Sequence, residues 1–287
     1  MLNLARISDV KRQFSKLRAV TDPEFFGIER VNDIRWRMPV IKSLISGTGS
    51  LFGGAGLGAG VRVAEIVTGR PAAWATAQFL NYAPLGSVLD LEVHEIVRGN
   101  QVSQCRVICS VAGREIITVF GAFGNRNTPF EGQWANRPEV PPPHECEPRP
   151  SLAHMEGTIS SRMEMLLAGS RNLDQLDGPS ATGNAALWVR IKDLSDMGAA
   201  GLAIIGDFVP FGISQALGQR AGGNSLDNTL RVVKLVDTEW VLADVRIQAV
   251  QNGFGHGVVH LWADDGTLLA TASQTTMVRA WREGPLT

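Results

Sequence analysis

The chain has 287 residues, 44% of them hydrophobic and 19% charged, with a formal net charge of −1. That length supports two domains of ordinary size, and a balanced charge with no long acidic or basic block argues against a nucleic-acid partner. No stretch reaches the roughly 18 to 20 uninterrupted apolar residues of a membrane span, and Cys105, Cys109 and Cys146 lack C-x-x-C or metal-finger spacing and cannot all pair, which fits a reducing cytoplasm.

At the N-terminus Leu4, Ile7, Val10, Phe14 and Leu17 recur at three and four, predicting an amphipathic surface helix that precedes the first domain. A strand follows at Val31 to Met38. The glycine-rich run from Gly53-Gly54 opens a helix through Val61, Ala64 and Val67 that stops at Gly69 and Pro71. Strands are predicted at Thr76 to Tyr82, Val88 to Val97, Gln101 to Val111 and Arg114 to Phe123, with tight turns at Arg98-Gly99-Asn100 and Ala112-Gly113. From about Asn125 to Pro150 seven prolines make an extended connector, with no third domain. Beyond it come a strand at Ala185 to Lys192 and a helix from near Asp207 to about Arg220, where aspartate followed three residues later by Pro210 is an entry signal. Four more strands follow: Asn228 to Val236, Val241 to Val250, Phe254 to Trp262 and Thr267 to Val278.

The two runs are one pattern used twice. Shifting the second half back by 153 positions sets Gly266 on Gly113, Gly206 on Gly53 and Leu242 on Leu89, with no gap from about Arg190 on Arg37 to Gln274 on Gly121. Each copy supplies one helix and an antiparallel meander, and the sheet must cover its apolar face with that helix. The fold class is therefore α+β, with boundaries at 1–125 for the first repeat and its N-terminal helix, 126–150 for the linker, and 151–287 for the second repeat.

Phe52-Gly53-Gly54 ahead of the first helix, Ser225-Leu226-Asp227 after the second, and the strand Leu268-Leu269-Ala270-Thr271-Ala272-Ser273-Gln274 with Val278-Arg279 carry a resemblance. With the linker, they make the chain similar to the acyl-CoA thioesterase II family, whose fold is a double hotdog. The resemblance implies hydrolysis of acyl-CoA to a free acid and CoA, no metal or other cofactor, and association into homo-oligomers. It places a hydrolytic water on Asp207, Ser225 and Gln274, and substrate contacts on Gly53, Gly54 and Gly206. This chain departs from the family at Asn228, where histidine is usual, at Thr275 and Thr276, where an acidic residue and glycine are usual, and at Gly206 ahead of Asp207, where serine is usual.

The repeat bears on that assignment. Under the 153 offset Asp207 faces Gly54, Ser225 faces Ala72 and Gln274 faces Gly121, so the first copy lacks all three polar groups and reads as scaffold. Asp207 is the candidate base, since a carboxylate screened from water has a raised pKa. Ser225 and Gln274 would orient the water, and a helix-start N–H would serve as oxyanion donor. Plain structural roles compete: an N-cap for Asp207, a loop hydroxyl for Ser225, a strand amide for Gln274. Two other functions stay open, a noncatalytic acyl-CoA-binding module and a hotdog hydratase, although the latter needs a histidine close behind Asp207 and none occurs before Arg220.

Other features carry less. Gly54 to Gly60 superficially matches a dinucleotide loop, but no strong strand feeds it and no acidic residue follows at the required distance; its glycines suit close packing of the helix on the sheet or passage of a pantetheine arm. His256 and His260 share a strand face without further ligands. Trp188, Trp240 and Trp262 read as core or interface aromatics.

Overall fold

The computed structural model describes residues 21–281. The predicted helix around Leu4 to Leu17 lies outside the described residues. In the first half the elements are α1 (Asp22–Phe26), β1 (Glu29–Arg30), β2 (Arg35–Pro39), α2 (Gly53–Thr68), β3 (Ala72–Phe79), β4 (Val88–Arg98), β5 (Val102–Val111) and β6 (Arg114–Gly124). The second half has β7 (Glu147–Pro148), α3 (Ile159–Arg162), β8 (Met163–Leu167), β9 (Asn184–Ile191), α4 (Ala199–Ile205), α5 (Val209–Leu217), β10 (Ala221–Ser225), β11 (Asp227–Val232), β12 (Val241–Gln251), β13 (Phe254–Ala263) and β14 (Leu268–Ala280).

All strands join one antiparallel sheet in the order β1-β2-β4-β5-β6-β3-β11-β14-β13-β12-β9-β8-β7, with β10 on the end of β14. The seam between the halves is the β3–β11 pair. There Thr76 lies opposite Thr229, with Asp227 on Gln78 and Arg231 on Trp74. These pairs are mirror partners under the 153 offset, so a pseudo-two-fold axis passes between the two threonines, whose hydroxyls are 2.7 Å apart. The strand β12 is β4 shifted by 153 at both ends. Hairpin turns follow the predicted chemistry: Ala112-Gly113 and Asn252-Gly253 each hold two successive positive φ angles, the backbone that matches the twist of paired strands.

The helices cover the sheet as two closely packed partners. Gly54 and Gly58 on α2 face α4, where an added Cβ would stand 2.7 Å from the carbonyl oxygens of Ala203 and Ala200. Gly56 and Gly60, on another face, lie against Ile117 and Val119 of β6. The glycine run is thus a packing device on two faces, which explains why α2 is buried almost all round from Gly54 to Val61. Burying residues such as Leu57 and Ile204 completely contributes about 2 kcal/mol each.

The helix expected from near Asp207 is α5, which ends at Leu217, but a further helical segment, α4, begins before it at Ala199 where none was expected. Between α4 and α5 the chain breaks at Gly206, Asp207 and Phe208. Pro210 at the second position of α5 has no N–H for the Gly206 carbonyl and its ring excludes that carbonyl from a continuous helix. Asp207 therefore sits in a mid-helix break, not at the helix's first entry. The span 199–217 is long and apolar enough on average to cross a membrane, but 78% of that window is buried inside the fold, as a core helix would be.

The proline-rich connector packs on the outer face of the second half. Trp188 donates through its indole N–H to the Pro141 carbonyl (2.8 Å), and Arg137 reaches the Asp264 carbonyl (3.0 Å). Ala135, Val140 and Cys146 close over Trp188, Trp262, Leu242 and Leu268, forming a second apolar cluster with Trp240 at its edge. The tryptophans are core residues of this outer layer. Cys105, Cys109 and Cys146 are all free thiols, and burial pushes Cys109 up to about 12.

Candidate active site

The helix break brings Asp207 under the start of α2 and over the inner face of β14. One carboxylate oxygen accepts the Gly54 N–H at 2.6 Å. The other accepts from the Gln274 amide and lies 3.5 Å from the Ser225 hydroxyl. Gln274 also donates to Ser225 Oγ (3.2 Å), and its carbonyl accepts the Val209 N–H (3.2 Å). Asp207, Ser225 and Gln274, chosen from sequence 67 positions apart at the extremes, form one hydrogen-bonded cluster.

Each member is placed by a different element. Ser225 ends β10, paired with Thr276, where a loop was expected. Gln274 faces inward on β14 with Ala270 and Ala272, while Ser273 and Thr275 face outward. Gly206 caps α4 so closely that a Cβ there would stand 3.0 Å from the Ala272 methyl, which holds the break down on β14. At Gly54 a Cβ would lie 2.7 Å from the Ala203 carbonyl and 3.0 Å from Asp207 Cβ. Of the glycines expected to touch substrate, Gly54 is thus committed to Asp207 and to helix packing, Gly206 packs against Ala272, and Gly53 borders Asp207 and the Phe79 ring.

Burial dominates the electrostatics. Asp207 is 7% exposed and Gln274 3% exposed. Loss of hydration raises the Asp207 carboxyl to about 6, against the pull of hydrogen bonds from Gln274, Gly54 and Ser225. A carboxyl poised near 6 is mostly ionised at neutral pH yet retains appreciable basicity. A groove of about 470 Å³ lined by Pro143, His144, Glu164, Leu166, Trp240 and Asp264 lies on the linker side and offers none of these groups.

Two neighbours entered the sequence reading only as departures from a motif. Asn228 and Thr276 are both completely buried, and the Asn228 amide and the Thr276 hydroxyl have no hydrogen-bond partner among the described residues. The Gly54–Asp207 bond was also unforeseen, although the repeat contained its signal: positions 153 apart that lie near a two-fold axis meet each other. In the first half the equivalent places are Gly54, Ala72, Ala75 and Gly121, with Ala75 opposite Gly121 and Ala72 opposite Phe123, and they carry no polar side chain. His256 and His260 do share the outer face of β13, where His256 meets Thr275 and His260 lies 3.8 Å from Asp244.

Comparison with known proteins places the fold. A family model described as the acyl-CoA thioesterase C-terminal domain matches residues 139–278. No curated protein matches the chain. A solved structure from Novosphingobium aromaticivorans, named as a thioesterase by inference, is 33% identical with a TM-score of 0.79, covering 88% of this chain and 98% of its own. An acyl-CoA thioesterase II from Mycobacterium marinum aligns with a TM-score of 0.71 at 18% identity, over 92% of this chain and 100% of its own. A hot dog fold protein from Alicyclobacillus acidocaldarius gives 0.79 at 16% identity, over 91% and 98%. The architecture is a double hotdog, and the chain belongs to the acyl-CoA thioesterase II family.

Proposed function

We propose that this protein hydrolyses an acyl-CoA thioester to a carboxylic acid and CoA, with Asp207 as general base. The observation that carries the reading is the buried Asp207–Gln274–Ser225 cluster, built in one half of a duplicated fold and replaced by glycine and alanine in the other.

In this reaction Asp207 takes a proton from water as the water oxygen bonds to the thioester carbonyl carbon. The carbonyl π electrons move to oxygen, giving a tetrahedral oxyanion. When the C=O bond re-forms the C–S bond breaks, and the departing thiolate takes the proton from Asp207. Gln274 and Ser225 hold the carboxylate by hydrogen bonds and orient the water, which limits the reorganisation required at attack. Every group invoked is a side chain of this chain.

The fatty or other acyl chain, a cytoplasmic setting and homo-oligomeric assembly belong to the same reading and rest on the family. The test is release of free thiol from short, medium, long and aromatic acyl-CoAs by the wild type and by Asp207→Ala. Turnover that collapses in a folded Asp207→Ala supports the assignment. Binding of acyl-CoA with no thiol release from any of them refutes it and favours a noncatalytic binding module.

A further inference from the structure

Hydrolysis by Asp207 leaves one requirement without a side chain, a donor for the carbonyl oxygen as it becomes an oxyanion. The donors nearest the carboxylate are all engaged. Gly54 N–H and the Gln274 amide both go to Asp207, and Val209 N–H goes to the Gln274 carbonyl. The Ser225 hydroxyl faces Asp207. An oxyanion site needs a donor already aimed and not otherwise spent.

Asn228 meets that description. It is fully buried, and neither its Nδ2 nor its Oδ1 has a partner among the described residues. Alternation along β11 puts it on the inner face with Leu230, while Thr229 and Arg231 face outward. Its neighbour across the seam is Ala77 on β3, and the Thr229–Ser273 pairing sets it beside Gln274 on β14. Asp207 and the first turn of α2 lie over the same strip of sheet, because Gly53 touches both Asp207 and Phe79 of β3.

A buried amide without a partner costs about 1–3 kcal/mol, and buried polar groups in native proteins are almost always satisfied. The fold does not demand this one, since the equivalent residue of the first half is Ala75, paired with Gly121 as Asn228 adjoins Gln274. Of the two positions, the one that carries an unpartnered amide is in the half that holds the Asp207 cluster, where the Thr276 hydroxyl is also without a partner among the described residues. Asp207 and Gln274 are nearly as enclosed as Asn228.

We infer that Asn228 is a further catalytic residue, donating through Nδ2 to the thioester carbonyl oxygen and to the oxyanion that replaces it. This rests on the hydrolase reading above and adds a group to it. The first turn of α2, whose early N–H groups lack intrahelical acceptors, is the source of a second donor.

The experiment uses the full chain as wild type, Asn228→Ala and the bulkier Asn228→Leu, with Asp207→Ala beside them. Thiol release gives kcat and KM, and thermal unfolding gives Tm. Binding is measured for two inert CoA analogues, a ketone that keeps the carbonyl and replaces sulfur by methylene, and a thioether that lacks the carbonyl. The inference expects kcat/KM to fall about 100-fold or more, with KM rising by no more than about 10-fold, and Tm no lower than wild type. It also expects the ketone's affinity to drop about 10-fold while the thioether's is unchanged. A kcat within about 3-fold of wild type overturns it. So does a lower Tm with parallel weakening of both analogues, which marks a structural amide. If the wild type releases no thiol, the hydrolase reading fails by itself, and the ketone-over-thioether preference still decides whether Asn228 meets the carbonyl.

Discussion

The acid limb of the pH–rate profile belongs to Asp207, and replacing Gln274 should move it. Burial raises this carboxyl from 3.8 to about 6, and the Gln274 hydrogen bond is the strongest of the contacts that hold it down. As a base it must be ionised, so kcat/KM should fall about tenfold per pH unit below about 6 and level off above. Gln274→Met keeps the volume and removes the donor. A hydrogen bond to a charged group is worth about 1.5–3 kcal/mol, which at 1.36 kcal/mol per unit lifts the carboxyl by about 1–2 units and carries the limb to about 7–8. The variant should therefore lose most activity near pH 6 and recover the ionisation-dependent part in alkaline buffer. Thiol release followed with a dipyridyl disulfide reagent, which works in acid, gives both profiles. A wild-type profile flat through this range, or a limb that stays in place in Gln274→Met, would refute the argument.

Stability should respond to the same carboxyl in the opposite sense. Its folded pKa lies above its unfolded value, so the folded state is favoured below about 3.8 and this advantage is lost as pH rises through about 6. A shift of about 2 units amounts to ~3 kcal/mol, so Asp207→Ala should gain relative to wild type by up to that amount between about pH 4 and 7 in urea unfolding. A constant difference across pH would contradict it; Asp22, also raised to about 6 by burial, cancels in the comparison. Gly54→Ala should cost more than Gly56→Ala, because its methyl meets the Ala203 carbonyl at 2.7 Å whereas the Gly56 methyl meets the movable Ile117 side-chain end. Overpacking of about 1–3 kcal/mol should appear in Tm for Gly54→Ala, together with lost turnover as its N–H leaves Asp207; equal Tm values would speak against the close helix contact. Trp188→Ala should undock the connector, since it removes the bond to Pro141 and the ring under Arg137. A glutamate-specific protease should then cut after Glu139 much faster than in wild type, and an unchanged digest would disprove the role of Trp188.

The duplication and the strands could be read in the sequence because each leaves a local mark, and the polar trio through the family resemblance of its motifs. Alternation, Asn-Gly and Asp-Gly turns and proline density need only neighbours along the chain, and the 153 offset survives as aligned punctuation even where residues differ. The helix α4 was missed for the same reason: Pro210 is a local signal for the start of α5, and the sequence has no equally strong signal that Ala199 to Ile205 is helical and buried on every side. The short strand β10 was hidden behind Gly222-Gly223, which suggests a loop until β14 pairs with it.

Residue types and periodicity predicted two helix-on-sheet units, the family resemblance singled out Asp207, Ser225 and Gln274, and the repeat showed that the first copy lacks them. Tertiary structure decided what those groups touch. The seam at Thr76 and Thr229 brings α2 of one half onto the helix break of the other, so that Gly54 caps Asp207 across 153 residues. It also shuts Asn228 away from water without giving it a partner. Hydrogen bonds and desolvation depend on distances of a few ångströms between segments far apart in the chain, and a linear sequence does not contain those distances until the sheet closes.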